Sequence, residues 1–528
     1  MKWIQGKPRK QAILFPTSLD QIIADDNEVR LIDLFVESLS LDFFGFDLKA
    51  IEDGRPKYHP KVLLKLFIYG YMNRIRSSRL LERACKINIE VMWLVQQLSP
   101  DHNTINSFRK VNEKGIRNVF RQTVNIAKDF ELIGGNLLAG DSTKFRAQNS
   151  KKNNYNIKKV KRHIDYIEGK LAEYQALLDE CEGGQKKEAL EHLIEKQNLR
   201  KAEYKLLEAE LSDVRIKQIS TSDPDSRQMI IRNNITEVAY NVQTTVDSTN
   251  NLLVDYEVTN TNDKKAMGTM VERAVEILGH REMTILYDKG YHSGSEFSKA
   301  EAAGVKVLVA IPGVPSASQA PNPKYNRSEF VYNEKEDSYT CPEGQILTPA
   351  PSTYTYRNAS KPDYTYTFKK YRTPACRDCP VRALCTRSKI NGRHIDRSEH
   401  TGAIDRNKER IENSEHYYKR RQAIVEHPYG TIKRQWGFDH IMTKRKIECA
   451  SSDVGLMMSS YNLRRLFNLL EFKDLIEYLN KKLENSIKSA LFITWQLMKH
   501  HSIKPNFYNF VLDAKKFRST KPILAFSF

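Results

Sequence analysis

Long apolar segments are missing from this chain of 528 residues. No run of roughly 18 apolar residues occurs, so the sequence contains no candidate for a membrane-spanning helix. The first residues also lack the charged start and apolar centre of a secretion signal. We therefore expect a cytoplasmic protein without a membrane partner.

Cysteine, glycine and proline are scarce as well. Seven cysteines are an odd and small number, which argues against a disulfide framework and favours a reducing compartment. With 23 glycines and 19 prolines, the composition excludes collagen-like and low-complexity proteins. At roughly 150 residues per domain, the length predicts about three folded units.

Acidic residues are outnumbered by basic ones, at 65 against 84, so the net charge is +19. Residues 55–86 carry a net charge of +8 and residues 417–446 carry +6, so two short stretches hold most of the excess. Such a surface attracts polyanions, and nucleic acid is the leading candidate. An acidic protein, a membrane surface and a merely solvated face are the alternatives.

The first 130 residues are predicted to be helical, because apolar residues recur three and four positions apart between arginines and lysines. One helix is expected to start after Asp101 and to run through Ile105, Phe108 and Val111. Short basic helices of this kind form either a helix-turn-helix DNA reader or a plain helical bundle.

The apolar pattern changes period at residue 136. Strands are predicted at residues 136–141, 237–247, 252–258, 283–288 and 305–311, with helices near 266–278 and 296–303. Three strands followed by alternating helices and strands predict an α/β fold in which a mixed sheet carries helices on its faces.

Two segments interrupt this order. In residues 155–215, apolar residues at heptad spacing predict an antiparallel helical hairpin that serves as a spacer or dimer contact rather than a DNA contact. The second segment, 312–405, contains Cys341, Cys376, Cys379 and Cys385, whose spacing suits a structural zinc site. Four reduced thiols without metal are the equal alternative, since no second cysteine closely follows Cys341.

Acidic residues stand at the ends of two predicted strands, at Asp141 and Asp288. In such a sheet the two carboxylates would meet at the edge where α/β proteins bind ligands, and their repulsion calls for a cation such as Mg²⁺. Taken alone, each aspartate is better explained as the cap of a turn. Glu426, an acid within the basic C-terminal stretch, is either a salt-bridge partner or a further metal ligand.

The order of several motifs resembles that of the DDE transposases of bacterial insertion sequences, in the branch with a Tyr-Arg-Glu-Lys signature. The resemblance covers nearly the whole chain. It rests on the segments Gly54-Arg55-Pro56, Pro100–Ile105, Gly140–Thr143, Ser222–Asp225, Tyr240–Gln243, Asp288–Tyr291, Val425–Gly430 and Ser460–Arg465.

This resemblance implies a ribonuclease-H-like core with a mixed five-stranded sheet. It also implies that Asp141, Asp288 and Glu426 hold two Mg²⁺ ions, for which Mn²⁺ could substitute. It implies a DNA transposase that hydrolyses transposon ends and joins the freed 3′-hydroxyl to target DNA, acting on double-stranded DNA as a homodimer. Tyr418, Arg421 and Lys433 would grip end phosphates. Four residues instead of three separate Arg421 from Glu426, so Arg420 or Gln422 could take the arginine position.

The chain is accordingly predicted to divide into five parts in a bacterial, nucleoid-associated protein. These are a helical DNA-binding domain (1–130), the ribonuclease-H-like core (131–311 and 406–470), the helical hairpin (155–215), the Cys-containing insertion (312–405) and a C-terminal helical segment (471–528). A stand-alone metal-dependent nuclease of the same fold and a catalytically silent DNA-binding derivative are the alternative functions.

Overall fold

The computed structural model describes residues 18–48, 56–181, 183–213, 216–232, 235–313, 315–358, 361–388 and 391–500. Residues 1–17, Gly54 and Arg55 of the Gly-Arg-Pro motif, and residues 501–528 of the predicted C-terminal segment lie outside these ranges. Within the described ranges, no helix is long and apolar enough to cross a membrane.

The elements follow one another in a helical, then mixed, then helical order. The helices are α1 (Leu19–Ile22), α2 (Glu28–Glu37), α3 (Leu41–Phe44), α4 (Pro60–Met72), α5 (Ser78–Ile87), α6 (Ile89–Leu94), α7 (His102–Val111), α8 (Glu113–Asp129), α9 (Ile157–Asp179), α10 (Gln185–Leu211), α11 (Met267–Leu278), α12 (Gly294–Ala302), α13 (Arg382–Cys385), α14 (Thr401–Glu412), α15 (Glu415–Tyr429), α16 (Ile447–Leu469) and α17 (Phe472–His500). The strands are β1 (Leu137–Arg146), β2 (Asn154–Tyr155), β3 (Ile219–Ser220), β4 (Arg227–Arg232), β5 (Ile235–Asp247), β6 (Leu253–Thr259), β7 (Thr284–Tyr287), β8 (Lys306–Val309), β9 (Val331–Asn333), β10 (Ser338–Thr340), β11 (Ile346–Pro349), β12 (Tyr354–Asn358), β13 (Lys361–Arg372) and β14 (Ile395–Ser398).

A mixed sheet at the centre has the strand order β4, β5, β1, β7, β8, and β6 also pairs with β5. Strand β1 runs antiparallel to β5 and parallel to β7, and β7 runs parallel to β8. Five of these strands are predicted from the sequence, and β4 is a sixth strand that is not. The physical reason is the length of β5. Its residues 241–246 pair with β6, so its residues 235–239 are free on the same edge to pair with β4.

Helices cover both faces of this sheet, as the α/β pattern predicts. Alternate residues of β7 point to opposite sides, so Ile285 and Tyr287 pack with α11 and α12, while Leu286 belongs to a larger core on the other side. That larger core combines the N-terminal helices, the β5–β6 hairpin and α16. The apolar spacing in the first 130 residues therefore does produce helices, and these helices share a core with the sheet.

A buried ionic cluster joins the N-terminal helices to α16. The Asp453 carboxylate is 0% exposed, lies 2.8 Å from Nη2 of Arg76 and 3.4 Å from Nη1 of Arg109, and accepts the Tyr71 hydroxyl. The backbone N–H of Met442 donates to the same carboxylate at 2.7 Å. Four separate parts of the chain therefore meet on one side chain.

The predicted helical hairpin is present, formed by α9 and α10. The rings of His163 and Tyr204 stack with centroids 4.9 Å apart, and Lys201 Nζ lies 2.8 Å from Glu168 Oε1, so the two helices run antiparallel. At the base of the hairpin, β2 pairs with β3.

A second sheet, which the sequence analysis did not predict, lies within the Cys-containing insertion. Its strand order is β12, β13, β11, β10, β9, and β14 pairs with β13. The sheet has an apolar core of its own, formed by Phe330, Tyr339, Leu347, Tyr371 and Ile395. Alternating tyrosine and threonine in β12 and β13 is the period-two signal that predicts these strands.

Candidate active site

Asp141 lies within β1 and not at the strand's end, which corrects the prediction. The strand continues to Arg146 because its antiparallel partner β5 is long enough to pair with every residue from 138 to 146. The parallel neighbour β7 pairs with residues 137–139, so Asp141 lies just beyond the carboxyl end of β7. The backbone N–H of Ser142 donates to its carboxylate at 2.7 Å.

Asp288 follows β7 directly and reaches the same edge of the sheet. Its carboxylate accepts the backbone N–H of Gly290 and so caps a short 3-10 turn, which is the capping role considered from sequence. The electrostatic field of Asp288 also acts on Asp141: burial raises the pKa of Asp141 and the Asp288 charge raises it further. The structure thus brings the two predicted aspartates together.

Helix α15 crosses this edge and supplies the cation that Asp141 contacts. Arg421 Nη1 lies 3.2 Å from Asp141 Oδ2, and Arg421 in turn interacts with the Tyr418 hydroxyl. Further along α15, the Tyr429 hydroxyl donates to the Asp141 backbone carbonyl at 3.2 Å. Arg421 opposes the effect of burial, but the pKa of Asp141 stays above its ordinary value.

Glu426 lies on the same helix but not on the same face as Arg421. Five residues advance about 140° around a helix axis, and the exposed Glu426 side chain accepts a hydrogen bond of 2.7 Å from Gln422. Among the described residues, no group of three or more His, Cys, Asp or Glu side chains is arranged to hold a metal ion. Of the three predicted metal ligands, Asp141 and Asp288 therefore lie at one edge of the sheet. Glu426 lies on a different face of α15.

Lys433, predicted to bind phosphate, contacts β1. Its ammonium group donates to Thr143 Oγ1 and to the Lys144 carbonyl, both at 2.9 Å, and lies 5.2 Å from the centre of the Phe145 ring. Burial lowers the pKa of Lys433. In this arrangement the side chain fastens the turn after α15 to the strand that carries Asp141.

Asp263 is an acid beside the site that is not predicted from the sequence. Oδ1 of Asp263 accepts from Asn241 at 2.7 Å and from Gln243 at 2.8 Å, and Oδ2 lies 3.4 Å from Lys144 Nζ. Lys144 and Asn241 face each other across β1 and β5. Burial raises the pKa of Asp263, but Lys144 and the hydrogen bonds lower it overall, so this carboxylate is held in its charged form.

The Asp263 contacts extend to the turn that carries Asp288. Gln243 accepts the hydroxyl of Tyr291, which lies in that turn and is 1% exposed. A Cβ atom added to Gly290 would lie 2.9 Å from Asp288 Oδ1 and 3.6 Å from Asp263 Oδ2, so both carboxylates approach one point. The signal that could have found Asp263 is weak, because it depends on the strand register and not on spacing along the sequence.

Two regions of the chain match known families. A transposase domain (DUF772) matches residues 17–111, and a transposase DDE domain matches residues 340–467. The chain therefore carries two transposase domains, the second of the DDE family. This is the family that the sequence motifs indicate, and the function that follows from it is DNA transposition by an enzyme that acts on DNA.

The matched regions contain some of the site residues of this DDE transposase. Tyr418, Arg421, Glu426 and Lys433 lie within residues 340–467. Asp141, Asp288 and Asp263 lie between the two matched regions, so their assignment depends on the geometry described above.

No curated protein matches the chain. A cryo-EM structure of the piggyBac transposase synaptic complex with hairpin DNA aligns with 97% of this chain and 89% of that chain at 11% identity and a TM-score of 0.27. At this TM-score the two chains do not share a demonstrated fold.

The four cysteines of the transposase insertion are not paired in disulfides and line one cavity of about 30 Å³. The backbone N–H of Gln345 donates to Cys341 Sγ at 3.3 Å, and Gly344 has φ +75°, which makes the tight turn between them accessible. A backbone N–H at Arg393 interacts with Cys376 in the same way. Within the described chain, these sulfurs are not arranged as a formed metal site.

Proposed function

We propose that this transposase cuts transposon ends and joins the freed 3′-hydroxyl to target DNA at the edge of the central sheet, with Asp141, Asp288 and Glu426 as its catalytic carboxylates. One observation carries the proposal. A largely buried carboxylate, Asp141, lies within the field of Asp288 just beyond the parallel strands and is paired with Arg421 from a separate helix. Metal-dependent phosphoryl transfer requires acids placed together in this way, and carboxylates with perturbed pKa values cluster at functional sites.

We propose that the core is ribonuclease-H-like. The proposal is supported by the strand order β5, β1, β7, β8 with β6 outside β5, and by the strand directions, antiparallel on the β5 side and parallel on the β7 side. The proposed division of the chain adds a DNA-binding role for residues 1–130, and a spacer or dimer contact for the helical hairpin.

The metal in this proposal is Mg²⁺, as two ions, with Mn²⁺ as a substitute. The donor set supports it, because carboxylate oxygens are the ligands that Mg²⁺ prefers. Burial also raises the pKa of Asp141 by more than Arg421 lowers it. Bound Mg²⁺ would activate water and stabilise charge on the transferred phosphate. Asp141 and Asp288 would hold it from the sheet and Glu426 from α15.

Glu426 can reach this site if the helix around it adjusts. Pro428 lies inside α15 and has no N–H to donate, and residues Gly430–Gln435 continue as a π-helix. Both features weaken the regular hydrogen bonding that fixes the rotation of a helix, and π-helical turns are frequent at functional sites. They support Glu426 as the third ligand, although it is exposed in this structure.

The proposed DNA contacts of the active site come from Tyr418, Arg421 and Lys433. The guanidinium of Arg421 offers a planar fork of donors that suits two phosphate oxygens, and its position beside Asp141 supports a contact with the scissile phosphate. Tyr418 interacts with Arg421 and would orient it. The partner is double-stranded DNA, and a homodimer would bring two ends together in a bacterial, nucleoid-associated complex.

A structural zinc ion is the second proposed cofactor. Four half-buried sulfurs around one cavity, two of them accepting backbone N–H groups, support it. We expect the purified protein to contain about one zinc per chain by mass spectrometry. Loss of that zinc in Cys379→Ser, with retained zinc in Cys85→Ser outside the cluster, would support the site, and a zinc-free wild type would leave four free thiols.

The catalytic proposal is tested with purified protein, Mg²⁺ and a duplex that ends in the element's terminal sequence. Asp141→Asn, Asp288→Ala and Glu426→Gln are each expected to abolish cleavage and strand transfer, whereas Glu28→Gln, which alters an exposed acid far from the site, should have no effect. Cleavage that survives Asp288→Ala contradicts the assignment. Cleavage without joining to a second duplex would identify a nuclease.

A further inference from the structure

The motif Ser222–Asp225 is not part of the proposed catalytic site, and its aspartates contact the loop that leads into α16. Oδ1 of the fully buried Asp223 accepts the backbone N–H of Arg445 at 3.0 Å and the hydroxyl of Tyr240 at 2.7 Å. Two residues further, Asp225 Oδ2 accepts the backbone N–H of Ile447 at 2.9 Å. The two aspartates therefore clamp both sides of one short turn.

The clamped turn has an unusual backbone. Arg445 has a φ of 84°, in the left-handed region that L-residues other than glycine rarely adopt. Such a conformation persists only where neighbouring groups hold it, and here the buried carboxylate of Asp223 fixes the N–H of the strained residue. The shape of the turn is thus imposed from outside and does not come from the preferences of its own residues.

The clamp presents three successive cations to solvent. Lys444, Arg445 and Lys446, which we name the basic turn, are all exposed. The loop before them pairs with the end of β1, since Arg146 donates to the Asp439 carbonyl at 3.0 Å and accepts from Ile441 at 2.8 Å. The basic turn therefore continues from the strand that carries Asp141.

We propose that the basic turn is a preformed contact for the phosphate backbone of duplex DNA, held in shape by Asp223 and Asp225. Three neighbouring cations on a fixed backbone suit closely spaced phosphates, and prior ordering spares the entropy of fixing them on binding. An acidic protein would satisfy the same charges, but the direct path along β1 from Asp141 favours the nucleic acid that is cut there. The inference rests on the proposed function, in which DNA passes over that site.

The first experiment measures how strongly salt weakens DNA binding. A labelled random-sequence duplex is titrated with full-length protein over a series of KCl concentrations, with Lys444→Ala/Arg445→Gly/Lys446→Ala compared with wild type. Each lost phosphate contact should reduce the slope of log affinity against log salt by about 0.9, so we expect a reduction of about 2–3. Glycine at position 445 adopts the positive φ freely, so this variant should fold.

The matched control removes three exposed lysines from the hairpin helix α10, in Lys186→Ala/Lys187→Ala/Lys196→Ala. Its slope should equal that of wild type. An unchanged slope in the basic-turn variant overturns the inference, as does an equal reduction in the control, because the effect would then report net charge alone. Competition by an acidic peptide as strong as that by duplex DNA would also overturn it.

The clamp is tested separately with Asp225→Ala, which keeps all three cations but frees the N–H of Ile447. We expect binding weakened about two- to tenfold at an unchanged salt slope, because flexible cations must be ordered on binding. Wild-type affinity in this variant would refute the clamp. If the wild-type protein bound no DNA, the proposed function would fail. If the wild type bound and cleaved DNA normally and the basic-turn variant had the same salt slope, this inference alone would be refuted.

Discussion

Replacement of Asp453 by asparagine should strongly destabilise the protein. The side chain has the same shape but loses its charge, so the 6% exposed Arg76 and the 2% exposed Arg109 would remain buried without a counterion. Removing one partner of a buried ion pair costs about 3–5 kcal/mol, and here two arginines depend on one carboxylate. We expect the free energy of unfolding to fall by about that amount.

The measurement is urea denaturation followed by near-ultraviolet circular dichroism, which reports the packing of aromatic residues. The matched control is Glu28→Gln, which breaks a 2.5 Å ion pair with Arg464 whose side chains are 50% and 25% exposed. That loss should be below about 1 kcal/mol. If Asp453→Asn cost no more than Glu28→Gln, the cluster would not hold the N-terminal helices to α16.

The same cluster predicts a dependence on pH. Burial by itself would raise the pKa of Asp453, but Arg76 and Arg109 outweigh it and lower the pKa. A lowered pKa means that the stabilisation is complete above the ordinary value of about 4 and is lost as the pH falls through the lowered value. The stability difference between wild type and Asp453→Asn should therefore be constant near neutral pH and shrink in acid.

Three further predictions concern the active-site strand and its supports. Gly140→Ala should destabilise the protein by about 1–3 kcal/mol in thermal melts, because the added Cβ would lie 1.9 Å from the buried ring of Tyr287, and a second change, Tyr287→Leu, should restore part of the loss. Asp263→Asn should lower DNA cleavage about 10- to 100-fold and raise the Mg²⁺ concentration needed, while Asp247→Asn, at the far end of β5, should change stability and not metal dependence. Lys433→Met should reduce the salt slope of DNA binding by about 0.9 if this lysine grips a phosphate, and an unchanged slope would restrict it to its contacts with β1.

The central sheet was predictable because each of its predicted strands has a recognisable apolar pattern in the local sequence. The apolar block before Asp141, the β5–β6 pair around a Ser-Thr-Asn-Asn turn and the two later strands each carry a clear period, and all are present. The predicted end of the first strand was wrong, because Thr143 and Phe145 continue the alternation that pairs with β5. Strand ends depend on the partner's length, which local sequence does not contain.

The site was predictable only in part, for a reason of distance along the chain. Asp141 and Asp288 could be related through the general rule that parallel strands end at one edge. The contact of Arg421 with Asp141 spans 280 residues, and the Asp263 network depends on which β5 residues face β1. Neither spacing nor composition encodes such contacts. The helix face of Glu426 could not be predicted from the sequence either, because Pro428 lies inside the same helix.

The paired strands at the foot of the helical hairpin have a consequence for how this chain could change over generations. Because Asn154 lies opposite Ser220 and Tyr155 opposite Ile219, the chain leaves and re-enters the rest of the molecule at neighbouring points. An arm attached in this way can be shortened, lengthened or exchanged without altering the path from β1 to β4. The length of the hairpin can therefore change between related enzymes while the active site stays the same.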